Sequence, residues 1–87
     1  MKYGLKTAKD LDKILYKLAK RDKKQLEIIN DKVEEILENP HQYKPLRGDM
    51  HGTRRVHIGK SFVLTYEIDE KNKTVKLLDY DHHDRIY

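Results

Sequence analysis

The stretch TRRVHIGKSFVLTYEI, residues 53–68, decides the fold class of this chain. Apolar and polar residues alternate in it, which is the period of a β-strand with one buried face. In its first half, Val56 and Ile58 fall on one face, whereas Arg55 and His57 fall on the other. The segment GKS between the two halves supplies a turn. The stretch therefore predicts a β-hairpin whose first strand directs a cation and an imidazole away from the core.

Two amphipathic helices are predicted before this hairpin, with one further strand at each end of the chain. A short strand at 2–6 comes first, and Thr7 is the expected N-cap of the first helix. Asp22 is the expected cap of the second helix, which ends at the Asn-Pro pair 39–40. The apolar helix positions are Leu11, Ile14, Leu15 and Leu18, then Leu26, Ile29, Val33, Ile36 and Leu37. With a last strand at 74–80, the order β-α-α-β-β-β predicts an α+β fold, a helical hairpin packed on a small antiparallel sheet.

Length and composition limit the class of protein. Eighty-seven residues are expected to form a single domain, 1–87. The chain has no cysteine, which excludes disulfides and thiolate metal sites and is consistent with a cytoplasmic location. No apolar run approaches the roughly 18 residues of a membrane span, and no signal core is apparent. Nothing predicts a cofactor, a membrane partner or a small-molecule ligand.

The basic excess is concentrated in one short stretch. The net charge is +4, and residues 41–60 hold five Lys or Arg against one acid, with three of the five histidines. Such a stretch attracts polyanions, nucleic acid first among them, although a solvated basic surface is the simpler alternative. The residues that could contact RNA are Arg47, His51, Arg54, Arg55 and Lys60. Strict alternation, however, aims Arg54 toward the helices.

The closing stretch LDYDHHDRIY, residues 78–87, adds two more imidazoles. Metal-free RNA cleavage needs a base for the ribose 2′-OH, an acid for the leaving 5′-oxygen, and cations for the phosphorane-like transition state. Histidine suits the proton transfers because its unperturbed pKa is about 6.5. A metal held by His82, His83 and Asp84 is the alternative. Adjacent residues of an extended chain point apart, and no second ligand cluster has zinc-like spacing, so no metal is expected.

These segments carry a family resemblance. KPLRGDMHGTRRVHIG, then FVLTYEID, then HDRIY resemble the RelE superfamily of bacterial and archaeal toxins, and the resemblance covers essentially the whole chain. Members are small β-α-α-β-β-β proteins that are paired with an antitoxin and cut messenger RNA in the ribosomal A site. The resemblance implies two partners for this chain, a cognate antitoxin protein and mRNA on the ribosome.

Within the superfamily, the YafQ branch is the most similar. It has a histidine late in the second strand, matched by His57, and a terminal histidine followed four residues later by an aromatic, matched by His83 and Tyr87. The spacing selects His83 over His82. The resemblance implies that His83 is a general acid or base and that Tyr87 stacks on a base or orients the RNA. Arg55 matches a strand arginine of the wider superfamily.

Five positions depart from the pattern of this family. Lys44 stands where the branch commonly has an imidazole, and it could serve as a base or as a phosphate contact. Ser61 replaces an acid, and Val63 lies in a strand where many members carry an arginine. Asp79 and Asp81 put negative charge where relatives often have cations.

Two further functions remain open from the sequence. A ParE-like toxin shares this scaffold but inhibits DNA gyrase by binding it, and that group generally lacks a terminal catalytic histidine. An inactive relative would bind only its antitoxin or RNA.

Overall fold

Four strands form one mixed sheet, and a helical hairpin covers one of its faces. The computed structural model describes residues 2–43 and 52–82 of the chain. The elements are β1 (Gly4–Thr7), α1 (Lys9–Arg21), α2 (Lys23–Glu38), a 3-10 helix (Pro40–Gln42), β2 (Thr53–Ile58), β3 (Phe62–Asp69) and β4 (Thr74–His82). The predicted order β-α-α-β-β-β and the α+β class are confirmed.

The strands lie in the order β1-β4-β3-β2. β2, β3 and β4 form an antiparallel meander, and β1 pairs in parallel with β4 after the chain has crossed over through the two helices. The sheet is therefore mixed rather than wholly antiparallel. Among the described strands β2 pairs only with β3, so it lies at the edge of the sheet.

The helix ends follow from local hydrogen bonding. Asp22 caps α2 as predicted, since its Oδ1 accepts from the backbone N–H of Gln25 at 3.1 Å. The predicted cap of α1 was wrong: Ala8 occupies the N-cap position, and Thr7 remains in β1, paired with Leu77. At the far end, α2 stops at Asn39, directly before Pro40, as the sequence indicates.

The core lies between the helices and the sheet. Val56 and Ile58 face the helices, as the alternation predicts, while Ile14 of the predicted apolar face stays 39% exposed. The buried residues of this cluster are Leu11, Ile29, Val33, Ile36, Leu37, Val56, Ile58, Leu64, Tyr66, Val75, Leu77 and Tyr80. The amphipathic spacing of α1 and α2 thus places one face of each helix against the sheet.

A β-bulge interrupts β4. Thr65 pairs with Asp79, but its neighbour Tyr66 pairs with Leu77, so Leu78 is the extra residue. Buried positions of β4 are therefore odd-numbered before the bulge and even-numbered after it, where Tyr80 is the buried residue.

Tyr66 fixes the segment that follows α2. Its side chain is 0% exposed, and its hydroxyl donates to the backbone carbonyl of Pro40 at 2.6 Å. Burial raises the pKa of this hydroxyl to about 12. The bond joins the central strand β3 to the 3-10 helix across the core.

Removing the hydroxyl should therefore destabilise the fold. We expect Tyr66→Phe to cost about 1–2 kcal/mol, because the Pro40 carbonyl would lose its buried donor. In a domain of this size, each 1 kcal/mol lowers Tm by roughly 4–8 °C. Tyr16→Phe is the matched control, since Tyr16 is 65% exposed. Equal melting curves for both variants would contradict this role of Tyr66.

A polar cluster lies around Glu70, which follows β3. Its carboxylate accepts from Lys73 Nζ at 2.9 Å, from the Tyr3 hydroxyl at 3.1 Å and from His41 Nε2. The hydrogen bond from Lys73 lowers the pKa of Glu70 the most, and those from His41 and Tyr3 lower it further. Together they bring this pKa from its ordinary 4.5 to about 2. The cluster joins the β3–β4 turn to both the N-terminal segment and the 3-10 helix.

The lowered pKa predicts a pH-dependent contribution to stability. Because the folded-state pKa of Glu70 is depressed, its contribution is present above pH 4.5 and is lost as the pH falls toward 2. Glu70→Gln should therefore lower Tm at pH 7. The difference in Tm between this variant and wild type should shrink as the pH falls from 4.5 to 2. Glu27→Gln, on the exposed surface of α2, is the control. A Tm difference that stays constant from pH 7 to pH 2 would exclude this linkage.

Candidate nucleic-acid interface

The face of the sheet opposite the helices carries the predicted site. His57 is exposed there on the edge strand β2. It pairs with Val63 of β3, which in turn pairs with Asp81 of β4. Neighbouring strands lie about 4.8 Å apart, so the backbones of His57 and Asp81 are roughly 10 Å apart across the face. An imidazole and a carboxylate thus border the same apolar residue.

A second row runs parallel to the first. Arg55, half-buried, pairs with Thr65, which pairs with the exposed Asp79. Arg55 lies two residues before His57, so the two side chains share this face about 7 Å apart along the strand. The predicted orientation of both residues agrees with the structure.

The strip of this face between β2 and β4, which we call the groove, has two unlike sides. Its floor is Val63 and Thr65, which are only 1% and 4% exposed although they face away from the helices. β2 supplies a wall with a cation and an imidazole, and β4 supplies a wall with two carboxylates. Such a groove can bind an anion along β2, whereas phosphate close to β4 would be repelled.

The charge of this face is more balanced than the sequence suggested. The described strands direct Lys6, Arg55 and Lys76 to it, and they also direct Glu67, Asp69, Asp79 and Asp81 to it. Three cations against four carboxylates give a net charge of −1, with the histidine neutral. The positive part is therefore restricted to the β2 edge.

Arg54 lies on the other side of the sheet. Its guanidinium donates to the backbone carbonyl of Tyr43 at 2.5 Å and to that of His41 at 3.5 Å. This agrees with the alternation, which aims Arg54 toward the helices. The side chain ties the edge strand to the segment after α2, and its position does not support the RNA contact that was predicted for it.

The remaining predicted residues divide into two groups. Lys60 is exposed in the β2–β3 turn, directly after Gly59, whose φ of +64° suits glycine. Five other predicted residues lie outside the described residues: Lys44, Arg47, His51, His83 and Tyr87.

The structure separates His82 from the open face. His82 is the last residue of β4, and its ring makes an edge-to-face contact with Phe62, with the centroids 5.6 Å apart. Phe62 in turn stacks on the buried Tyr80. Across residues 2–43 and 52–82, no three potential metal ligands come together. Within these same ranges, no helix is long and apolar enough to cross a membrane.

The buried floor was missed by the sequence reasoning. The alternating pattern assigned Val63 and Thr65 to a solvent-facing surface. A signal was nevertheless present, because FVLTY, residues 62–66, contains no charged residue. An uninterrupted run of this kind is typical of a strand buried on both faces.

Comparisons with known proteins agree with this architecture. A family model described as "ParE toxin of type II toxin-antitoxin system, parDE" matches residues 2–87. A protein of Methanocaldococcus jannaschii named "Putative toxin RelE4" is 56% identical over 85 residues, 98% of this chain and 90% of its own.

Solved structures of toxins share the fold. A mutant of E. coli toxin RelE in the free state superposes with a TM-score of 0.82 at 23% identity, covering 99% of this chain and 88% of its own. In the toxin–antitoxin complex RelBE2 from Mycobacterium tuberculosis, the matching chain has a TM-score of 0.77 at 27% identity, with 95% and 93% covered. The family match over nearly the whole length and the shared fold lead to one conclusion: this chain belongs to the ParE toxin family of type II toxin–antitoxin systems, within the RelE/ParE superfamily.

Proposed function

We propose that this protein is an endoribonuclease that cleaves messenger RNA on the ribosome by metal-independent acid/base chemistry. The observation that carries the proposal is the placement of Arg55 and His57 side by side on the open edge of the sheet, away from the helices. An arginine fork and an imidazole on one face are the groups that phosphate binding and proton transfer at neutral pH require.

The end of β4 supports a second imidazole at the same place. β4 leaves the sheet at His82, which pairs with Phe62, one position from the Val63 that pairs with His57. The last described residue of β4 therefore lies at the end of the sheet where His57 is. We assign the second proton transfer to His83, and the orientation of the RNA to Tyr87.

The reaction is a transesterification at one phosphate. One imidazole removes the proton of the ribose 2′-OH, and the 2′-oxygen forms a bond to phosphorus. The bond from phosphorus to the 5′-oxygen breaks, and the other imidazole, protonated, gives its proton to that leaving oxygen. Arg55, with Lys44 as a further phosphate contact, stabilises the charge on the phosphorane-like transition state.

The acidic wall sets the path of the RNA. Asp79 and Asp81 face the groove from β4 and would repel phosphates that came near. The RNA backbone would therefore follow β2 rather than cross the sheet. Lys60, at the end of the hairpin, extends this path.

The two adjacent histidines provide the sharpest test. We expect His83→Ala to reduce cleavage by roughly 10²–10⁴-fold, the usual span for a general acid or base, while binding changes far less. His82→Ala should be nearly silent, because its ring packs against Phe62 on the helix side. Primer extension on a translated message measures the cuts, and cleavage should persist in EDTA once the ribosome's own magnesium requirement is met.

The other functions are outcomes of the same experiment. Equal losses from both alanine variants would favour a joint metal or structural role, and full cleavage by His83→Ala would exclude the mechanism. The ParE family match gives gyrase inhibition a specific basis. Absence of cleavage together with inhibition of DNA supercoiling would establish that function instead.

An antitoxin is the proposed protein partner. The Mycobacterium tuberculosis structure with this fold is a toxin–antitoxin complex. The described surface also exposes apolar side chains that a partner could cover, Leu5 at 46%, Ile14 at 39% and Ile28 at 37%.

Coexpression should reveal this partner. With the product of a short neighbouring gene, we expect a stable complex whose Tm exceeds that of the toxin alone, because a ligand of the native state stabilises it. A mixture of unrelated small proteins is the control. A free protein that is harmless when expressed, and whose Tm that gene product leaves unchanged, would count against the partner.

A further inference from the structure

The two helices of the hairpin carry opposite charge. α1 (Lys9–Arg21) has five cations and two carboxylates, a net charge of +3. α2 (Lys23–Glu38) has three cations and five carboxylates, a net charge of −2. Because +3 and −2 nearly cancel, the net charge of the hairpin as a whole conceals a strongly basic helix.

Three of the five cations of α1 lie in a narrow stripe. At 3.6 residues per turn, Lys9, Lys13, Tyr16 and Lys20 fall within about 60° of one another, on the side opposite the buried Leu11. We call these four residues the lysine stripe. It is about 16 Å long at 1.5 Å per residue, and Asp10 and Asp12 lie outside it.

The lysines of this stripe differ from three others in the described part of the chain, which are held by carboxylates. Lys2, Lys32 and Lys73 form ion pairs with Glu34, Glu35 and Glu70. Within residues 2–43 and 52–82, no carboxylate pairs with a lysine of the stripe. Lys20 instead places its Nζ 4.6 Å from the ring centroid of Tyr16, which is 65% exposed.

The stripe lies far from the proposed cleavage site. α1 packs on the face of the sheet that carries Leu77 and Tyr80, whereas Arg55 and His57 point from the other face. A single RNA strand held along β2 therefore does not reach the stripe. A ligand of α1 must be a second, separate molecule or region.

We propose that the lysine stripe is a docking surface for the phosphate backbone of folded RNA, separate from the groove that holds the message. This rests on the proposed function, because a toxin acting on the ribosome is surrounded by folded RNA. The three ammonium groups neutralise phosphates without reading sequence, and Tyr16 offers a ring on which an unpaired base stacks.

The composition of the stripe favours RNA over an acidic protein segment. Stable protein interfaces are centred on buried apolar anchors, and charged residues are depleted there. The stripe has lysines along its whole length, and it contains no aliphatic residue. Ile14, the exposed aliphatic residue of α1, lies outside it.

Salt-dependent binding to ribosomes tests this surface. Cosedimentation with purified 70S ribosomes is measured for wild type and for Lys13→Gln, Lys20→Gln and the double variant between 50 and 200 mM KCl. Each phosphate contact contributes about 0.7–0.9 to the slope of log K against log salt. The double variant should therefore have a slope shallower by roughly 1.4–1.8, and each single variant by about half of that.

Two controls separate position from net charge and from folding. Lys71→Gln, in the exposed β3–β4 turn, removes the same charge and should leave the slope unchanged. The double variant Lys13→Arg/Lys20→Arg keeps the charges and should bind as wild type does. Equal slopes for Lys71→Gln and Lys13→Gln would overturn the proposal.

Cleavage measured in parallel distinguishes the two proposals. Wild type that sediments with ribosomes but does not cut the message, while the stripe variants lose binding, would support the stripe and exclude the nuclease. If the protein cuts the message but the stripe variants keep the wild-type salt slope, the nuclease would be supported and the stripe excluded. Loss of binding to polyglutamate alone, with ribosome binding intact, would assign the stripe to an acidic protein and overturn the RNA proposal.

Discussion

The extra residue Leu78 decides on which side of the sheet each residue of β4 lies. Before it, Val75 and Leu77 pack under the helices, and after it Tyr80 does. Without this insertion, alternation would continue from Leu77 and bring Asp79 and Asp81 under the helices. Burying a carboxylate away from water costs several kcal/mol, so the burial of charge selects the bulged register. The acidic wall of the groove is a consequence of this choice.

Arg54 and Arg55 are adjacent on the edge strand β2 and have different roles, because they point to opposite faces of the sheet. An edge strand has a ladder partner on one side only and needs other contacts to hold its position. Arg54 supplies them on the helix side, through the carbonyls of Tyr43 and His41. Arg55, one residue on, points from the opposite face beside His57. The position of the proposed phosphate contact thus depends on a neighbour that does not touch the open face.

The elements could be predicted from the sequence more fully than their arrangement. Alternation at 53–68 located β2 and β3, and helical spacing located α1 and α2, to within a few residues. Pairing order is a long-range property that local periodicity does not contain, so the edge position of β2 was not foreseen. The cap of α1 was wrong because Thr7 is held in β1 by its pairing with Leu77. For the site, the orientation of Arg55 and His57 was predictable from alternation. The burial of Val63 was missed because alternation describes one buried face, whereas the uncharged run 62–66 indicates a strand covered on both faces.

The charges of the described residues would orient the molecule toward the RNA that we propose as its target. α2, with its net charge of −2, is repelled by phosphate, and the acidic side of the groove is repelled as well. The β2 edge and the lysine stripe are attracted, and they lie on opposite faces of the sheet. Long-range attraction therefore favours orientations in which the two basic surfaces face RNA. It disfavours orientations in which α2 or β4 faces RNA. Because this steering acts between exposed charges, it weakens beyond a Debye length of about 8 Å at physiological salt. The docking of α1 would thus orient the groove only once the protein is already close to its target.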